Sequence, residues 1–179
     1  NLLDKKEILY PLTIPNMVEQ HFKSGEWKLY LRSSETPVEA IYWGAVNDTL
    51  TSKFKSLFLC KPNQESCIER SIFSNNNREV FDLDSFETEK VIPLISFDNT
   101  PEESGFNMYR HSVIRNEKGN AYVPGLILKD SSMTFKMEDS EGCDYTPFVI
   151  LMESKFIRLL GFPKKLEDRR TMTCEVQYF

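Results

Sequence analysis

The sequence predicts an all-β fold: an antiparallel β-sandwich of about eight strands with one or two short helices. Three observations carry that expectation. Short runs alternate apolar and polar residues, polar turns separate the runs, and aromatics make up 12% of the 179 residues, thirteen of them Phe. A period of two marks a strand with one buried face. Aromatic residues favour strands and bring large buried areas to a core.

Taken in order, Ile8 to Pro15 reads as an edge strand, because Pro11 and Pro15 are tolerated only where no neighbour needs their missing N–H. Trp27, Leu29 and Leu31 share one face of the next run, and Lys28, Tyr30 and Arg32 share the other. Val38 to Val46 is apolar enough for a central strand, with Gly44 marking a bulge. Ser52 to Cys60 alternates again, with Phe54, Phe58 and Cys60 on one side. A turn at Pro62–Glu65 leads into a strand over Cys67–Phe73, and Asn75-Asn76-Asn77 supplies the turn before Glu79–Phe81.

Asp84 stands three residues before Glu87, the spacing of a helix capping box. Val91 to Phe97 reads as a strand and Asp98–Pro101 as a loop. Phe148–Met152 has the length of a buried strand, after which Phe156, Leu159 and Leu160 form a helical stripe stopped by Gly161 and Pro163. Thr171 to Phe179 alternates cleanly and is expected to close the sheet.

The function classes narrow by exclusion. A net charge of −5, with acids beside the clusters Lys164-Lys165 and Arg169-Arg170, argues against nucleic acid. No apolar run reaches the length needed to insert in a membrane. There is no Gly-rich phosphate loop, nucleophile elbow or HExxH, so no catalytic residue and no cofactor are expected; a third alternative, a cryptic hydrolase, would need a Cys–His dyad of Cys60, Cys67, Cys143 or Cys174 with His21 or His111. His21 and His111 lie far apart, and His111 is expected at the surface. The acids Asp82, Asp84 and Glu87 lack the glycine of a calcium loop and read as a surface turn, leaving no metal site.

Cys60, Cys67, Cys143 and Cys174 are expected to be thiols, mostly buried, in an intracellular protein. The alternative is a secreted or cell-surface module in which Cys60–Cys67 and Cys143–Cys174 are disulfides and the Asn47-Asp48-Thr49 sequon carries a glycan. The chain opens at Asn1 with no signal-like segment, which reads as an excised domain or mature product.

Four phrases then occur in a telling order: Phe22-Lys23-Ser24-Gly25-Glu26-Trp27-Lys28-Leu29, Lys53-Phe54-Lys55-Ser56-Leu57-Phe58-Leu59, Ser104-Gly105-Phe106-Asn107-Met108-Tyr109, and Lys129-Asp130-Ser131-Ser132-Met133-Thr134-Phe135. In that order they resemble the MATH (meprin and TRAF homology, TRAF-like) family. The resemblance spans 8–137, with Ser104 in place of the family's usual Trp, and leaves 138–179 as an extra C-terminal helix and strand of one domain, 1–179. A rival alignment places the final turn at Gly161-Phe162 and the final strand at Thr171–Val176.

The resemblance implies a noncatalytic adaptor, of the ubiquitin-pathway type, that binds an extended peptide of a partner protein along a sheet. Ser104, Gly105, Phe106 and Asn107 would line the groove. Gly105 would allow close backbone approach, and Phe106 would offer an apolar wall.

Overall fold

The computed structural model describes residues 7–20, 27–47, 66–97, 100–102, 104–111, 125–137 and 145–160. Eight strands lie in these residues: β1 Glu7–Glu19, β2 Trp27–Leu31, β3 Val38–Asn47, β4 Ile68–Asn75, β5 Arg78–Asp84, β6 Asn107–Arg110, β7 Ser131–Met137 and β8 Tyr145–Leu160. Between β5 and β6 runs a π-helical turn, Glu87–Val91, continued by a short α-helix, α1, Ile92–Phe97. The all-β sandwich expected from the alternation is the observed fold.

The strands form two four-stranded sheets ordered β1-β8-β3-β6 and β2-β7-β4-β5. Every pairing is antiparallel. β1 pairs with β8, β2 with β7, β3 with β6 and β4 with β5, as when one long hairpin ribbon is folded over on itself. Such a wrapped ribbon in two facing sheets is a jelly roll.

Local sequence explains several placements. β1 is an edge strand, as its prolines require: Pro11 and Pro15 have the same parity, so both missing N–H groups fall on one side of the strand. In β2 burial alternates, with Trp27, Leu29 and Leu31 inward and Tyr30 71% exposed. β4 and β5 meet in a two-residue turn at Asn76 and Asn77, whose φ angles of 52° and 57° suit the right-handed twist of a hairpin. The Asn75 side chain ties this turn to the approach to β7, accepting from Lys129 N–H at 2.9 Å and Ser131 Oγ at 2.6 Å.

The core lies between the sheets. Ile41, Trp43 and Ala45 of β3 and Val149 and Leu151 of β8 face Trp27, Leu29, Ile68, Phe73, Met133 and Phe135 of the other sheet. An aromatic cluster crosses the gap: Phe81 stacks on Trp43 at 5.6 Å and packs against Tyr109 at 4.5 Å and Phe73 at 5.5 Å. Burying side chains of this size supplies about 1.5–3 kcal/mol each.

Four expectations are corrected. The register runs evenly through Gly44, which pairs with Phe148; the irregularity falls between Val38 and Ala40. Gly44 is small for another reason, since a Cβ there would stand 2.9 Å from the Phe148 ring and 3.0 Å from the Gly105 carbonyl. The expected strand at Val91–Phe97 is the end of the π-turn and α1, because Asp84 and Glu87 do form the capping box. Asp84 N–H donates to Glu87 Oε2 at 2.9 Å and Glu87 N–H to Asp84 Oδ1 at 2.8 Å.

The expected helix after Met152 is instead the second half of β8, paired with β1 up to Leu160↔Glu7. Four apolar residues within Phe156–Leu160 are too few to separate a helical period from a period of two, and the partner strand β1 decides. Finally, His111 is half-buried rather than at the surface, its ring 6.0 Å from Phe73 and 5.3 Å from Tyr109. The predicted strands at Ser52–Cys60 and Thr171–Phe179, together with His21, Cys60, Cys143 and Cys174, lie outside the described residues. Cys67 is buried, as expected.

Candidate functional site

The segment singled out by sequence sits where the helical segment meets β6. Gly105 is buried and has φ of 90°, a conformation that side chains rarely adopt. Its N–H donates to Glu89 Oε1 at 2.8 Å, and its carbonyl accepts from Asn107 Nδ2 at 3.4 Å. Asn107 is fully buried; Thr88 Oγ1 donates to its Oδ1 at 2.6 Å, and its Nδ2 reaches the Trp43 carbonyl at 3.5 Å. Phe106 stacks on Tyr42 with centroids 5.5 Å apart, and Ser104 is half-buried.

These four residues are thus brought together, but the polar groups of Gly105 and Asn107 are turned inward. They hold the helical segment to the sheet by satisfying buried donors and acceptors that would otherwise be costly.

A second polar cluster, which the sequence reading missed, surrounds Glu153 on β8. Its carboxylate accepts from Asn16 Nδ2 at 3.1 Å, Thr36 Oγ1 at 3.3 Å and Ser34 Oγ at 3.4 Å, and Lys155 Nζ lies 3.2 Å away. Burial pushes the Glu153 carboxyl up, but the hydrogen bonds from Asn16, Lys155 and Thr36 outweigh it and hold the group below its ordinary value. The neighbouring Ser154 hydroxyl bonds the Glu39 carboxylate. A Glu inside an apolar run was the available signal, and only its strand neighbours give it a meaning.

A charged depression on the outer face of the second sheet is lined by Glu69, Arg70, Asp82, Asp84, Glu87 and Lys136. Its charges satisfy one another. Arg70 grips Asp82 through Nε at 2.5 Å and Nη2 at 2.6 Å, Lys136 pairs with Glu69 at 2.9 Å, and Asp84 and Glu87 are used in capping. The expected acidic turn is instead a strand–helix junction: Asp82 and Asp84 end β5, and Glu87 opens the helical segment. Among the described residues no group of three or more His, Cys, Asp and Glu is placed to hold a metal ion, and no helix is long and apolar enough to cross a membrane.

No family model matches the chain, and no curated protein matches it by sequence. Solved structures do share its fold. A quasi-atomic model of the PBCV-1 virus capsid superposes with a TM-score of 0.59 at 8% identity, covering 89% of this chain and 52% of that one. PBCV-1 VP54, in a crystal structure fitted into a cryo-EM reconstruction of the virophage Sputnik, gives 0.62 at 9% identity, with the same 89% and 52% coverage. The Faustovirus major capsid protein gives 0.64 at 8% identity, covering 83% of this chain and 33% of that one.

These capsid structures share this chain's fold. The chain spans about half the length of the first two and a third of the last. Identity this low carries the fold alone.

This finding overturns the MATH resemblance, and with it the peptide-binding adaptor and its place in the ubiquitin pathway. The four phrases that suggested them record alternation and turn chemistry, which any antiparallel sandwich uses. They contain nothing about strand order.

Proposed function

We infer that this chain is a structural protein, a jelly-roll unit that associates with further protein subunits in a capsid-like shell. One observation carries the reading: the two sheets, ordered β1-β8-β3-β6 and β2-β7-β4-β5, superpose on solved capsid structures over most of this chain. The chemistry of the described residues agrees with it. Their conspicuous polar groups, at Glu89, Asn107, Glu153 and Arg70, bind other parts of the chain and leave no constellation aimed at a substrate. A fold hosts many functions, so the role must come from what its surfaces do.

In a shell, the function is packing against neighbours, and no catalytic or cofactor chemistry is needed. The edge prolines of β1 fit that use, since they discourage open-ended sheet extension and leave association to other surfaces. The test is sedimentation and negative-stain electron microscopy of the purified chain at rising concentration. Discrete oligomers or regular arrays are expected. A chain that stays monomeric throughout contradicts the reading.

A further inference from the structure

Glu153 of β8 points into the sandwich at one end of the core. It follows Val149 and Leu151 at a spacing of two, on the face that buries both, and it pairs with the fully buried Val38 of β3. A carboxylate is seldom buried unless its charge is met. Here it is the common acceptor for three elements. Asn16 Nδ2 of β1 donates at 3.1 Å, Thr36 Oγ1 of the connection between β2 and β3 donates at 3.3 Å, and Lys155 Nζ of β8 lies 3.2 Å away. Ser34 Oγ stands 3.4 Å from the same carboxylate.

The connection Ser34–Thr36 leans on this group. Its flanks are tied to the body of the fold by backbone: Ser34 N–H donates to the Leu128 carbonyl at 3.2 Å, Val38 N–H to the Leu126 carbonyl at 3.0 Å, and Ser154 N–H to the Pro37 carbonyl at 2.8 Å. Between the flanks the bonds are local, Thr36 N–H to Ser34 Oγ at 3.2 Å and Ser34 Oγ to the Thr36 carbonyl at 2.9 Å, and Glu153 joins them to the sheet. Hydrogen bonds to an ionised acceptor are roughly twice as strong as neutral ones. A proton on Glu153 removes that charge and turns one carboxylate oxygen into a donor.

Among the described residues, the charged groups around Glu153 are few. Lys155 lies on its own strand, Glu39 of β3 bonds the neighbouring Ser154 hydroxyl, and Glu35 of the connection is exposed. From β1 the facing group is Asn16, which is neutral.

We propose that Glu153 is an acid-operated latch: ionised, it holds the Ser34–Thr36 connection against the end of the core, and on taking a proton it lets the connection open while the sheets stay paired. The inference stands on hydrogen-bond geometry and does not depend on the shell reading. Burial raises the Glu153 carboxyl, but the bonds from Asn16, Lys155 and Thr36 outweigh it and keep the group below 4.5. The latch is therefore closed at neutral pH and opens in the acid range beneath that value.

The experiment is hydrogen–deuterium exchange of the full chain, wild type beside Glu153→Gln and Thr36→Val, from neutral pH to below 4.5 with correction for intrinsic rates. Protection is read in the Ser34–Thr36 connection and, as an internal reference, at Ile41–Ala45 of β3. In the wild type the connection is expected to lose about tenfold in protection on acidification while β3 keeps its own. Both variants should be open at neutral pH and show no acid step. A Glu153→Gln variant that keeps the wild-type step assigns it to another acid, such as Glu35 or Glu39, and overturns the latch. So does a wild type in which the connection and β3 lose protection together, or in which neither does.

Discussion

The indole N–H of Trp43 on β3 donates to the Ser71 hydroxyl on β4 at 2.8 Å, so one hydrogen bond crosses from sheet to sheet inside the core. Trp43 is fully buried and Ser71 nearly so. Ser71→Ala leaves the indole N–H buried without an acceptor, which is expected to destabilise the fold by about 1–3 kcal/mol. Urea unfolding measures it, and an unchanged midpoint would show that the bond contributes nothing.

Gly44 and Phe148 make a second pair. Because a Cβ at Gly44 would meet the Phe148 ring at 2.9 Å and the Gly105 carbonyl at 3.0 Å, Gly44→Ala should overpack the site and cost about 1–3 kcal/mol. Adding Phe148→Leu should recover part of that loss. If the double variant is no better than the sum of the singles, the ring is not what excludes the methyl group.

His111 predicts an acid sensitivity. Burial lowers its pKa from 6.5 to about 4, and its buried Nε2 has no hydrogen-bond partner. The folded state thus binds its proton less readily than the unfolded state. Its stability contribution is whole above pH 6.5, declines as pH falls and is gone below about 4. The full loss is at most about 3 kcal/mol. His111→Phe should remove this slope, as read from chemical unfolding from above pH 6.5 down to about pH 4.

Glu153 acts in a lower window. Its folded pKa is depressed below 4.5, so its contribution is present above that value and lost as pH falls through the folded one. Glu153→Gln should therefore flatten the acid limb of the stability profile below that of His111. Identical acid limbs in wild type and variant would remove Glu153 from the account.

At the β4–β5 turn, Asn77 holds φ of 57°, which glycine adopts without penalty. Asn77→Gly creates the preferred Asn-Gly hairpin turn and should preserve or raise the melting temperature. Asn77→Val should lower stability by about 1–2 kcal/mol. A valine variant as stable as the wild type would mean that the turn has another conformation.

Much of the fold was legible locally. The inward set Trp27, Leu29 and Leu31, the edge prolines of β1, the asparagine turn and the Asp84–Glu87 box all rest on contacts within a few residues. Val91–Phe97 and the second half of β8 were not legible, because neither apolar pattern is long or regular enough to separate a period of two from a helical one. Ser104–Asn107 showed its turn but not its direction. Whether Asn107 faces a guest or the chain's own Thr88 depends on a helical segment nineteen positions upstream.

The sequence by itself determined which side chains of β2 turn inward, since alternation fixes a face. Only the tertiary structure decided which strand lies beside which, placing β8 between β1 and β3 and so making a jelly roll. Sheet hydrogen bonds join backbones, which are alike at nearly every residue. The choice of neighbour is left to side-chain packing between distant segments, as where Phe81 meets Trp43 and Tyr109.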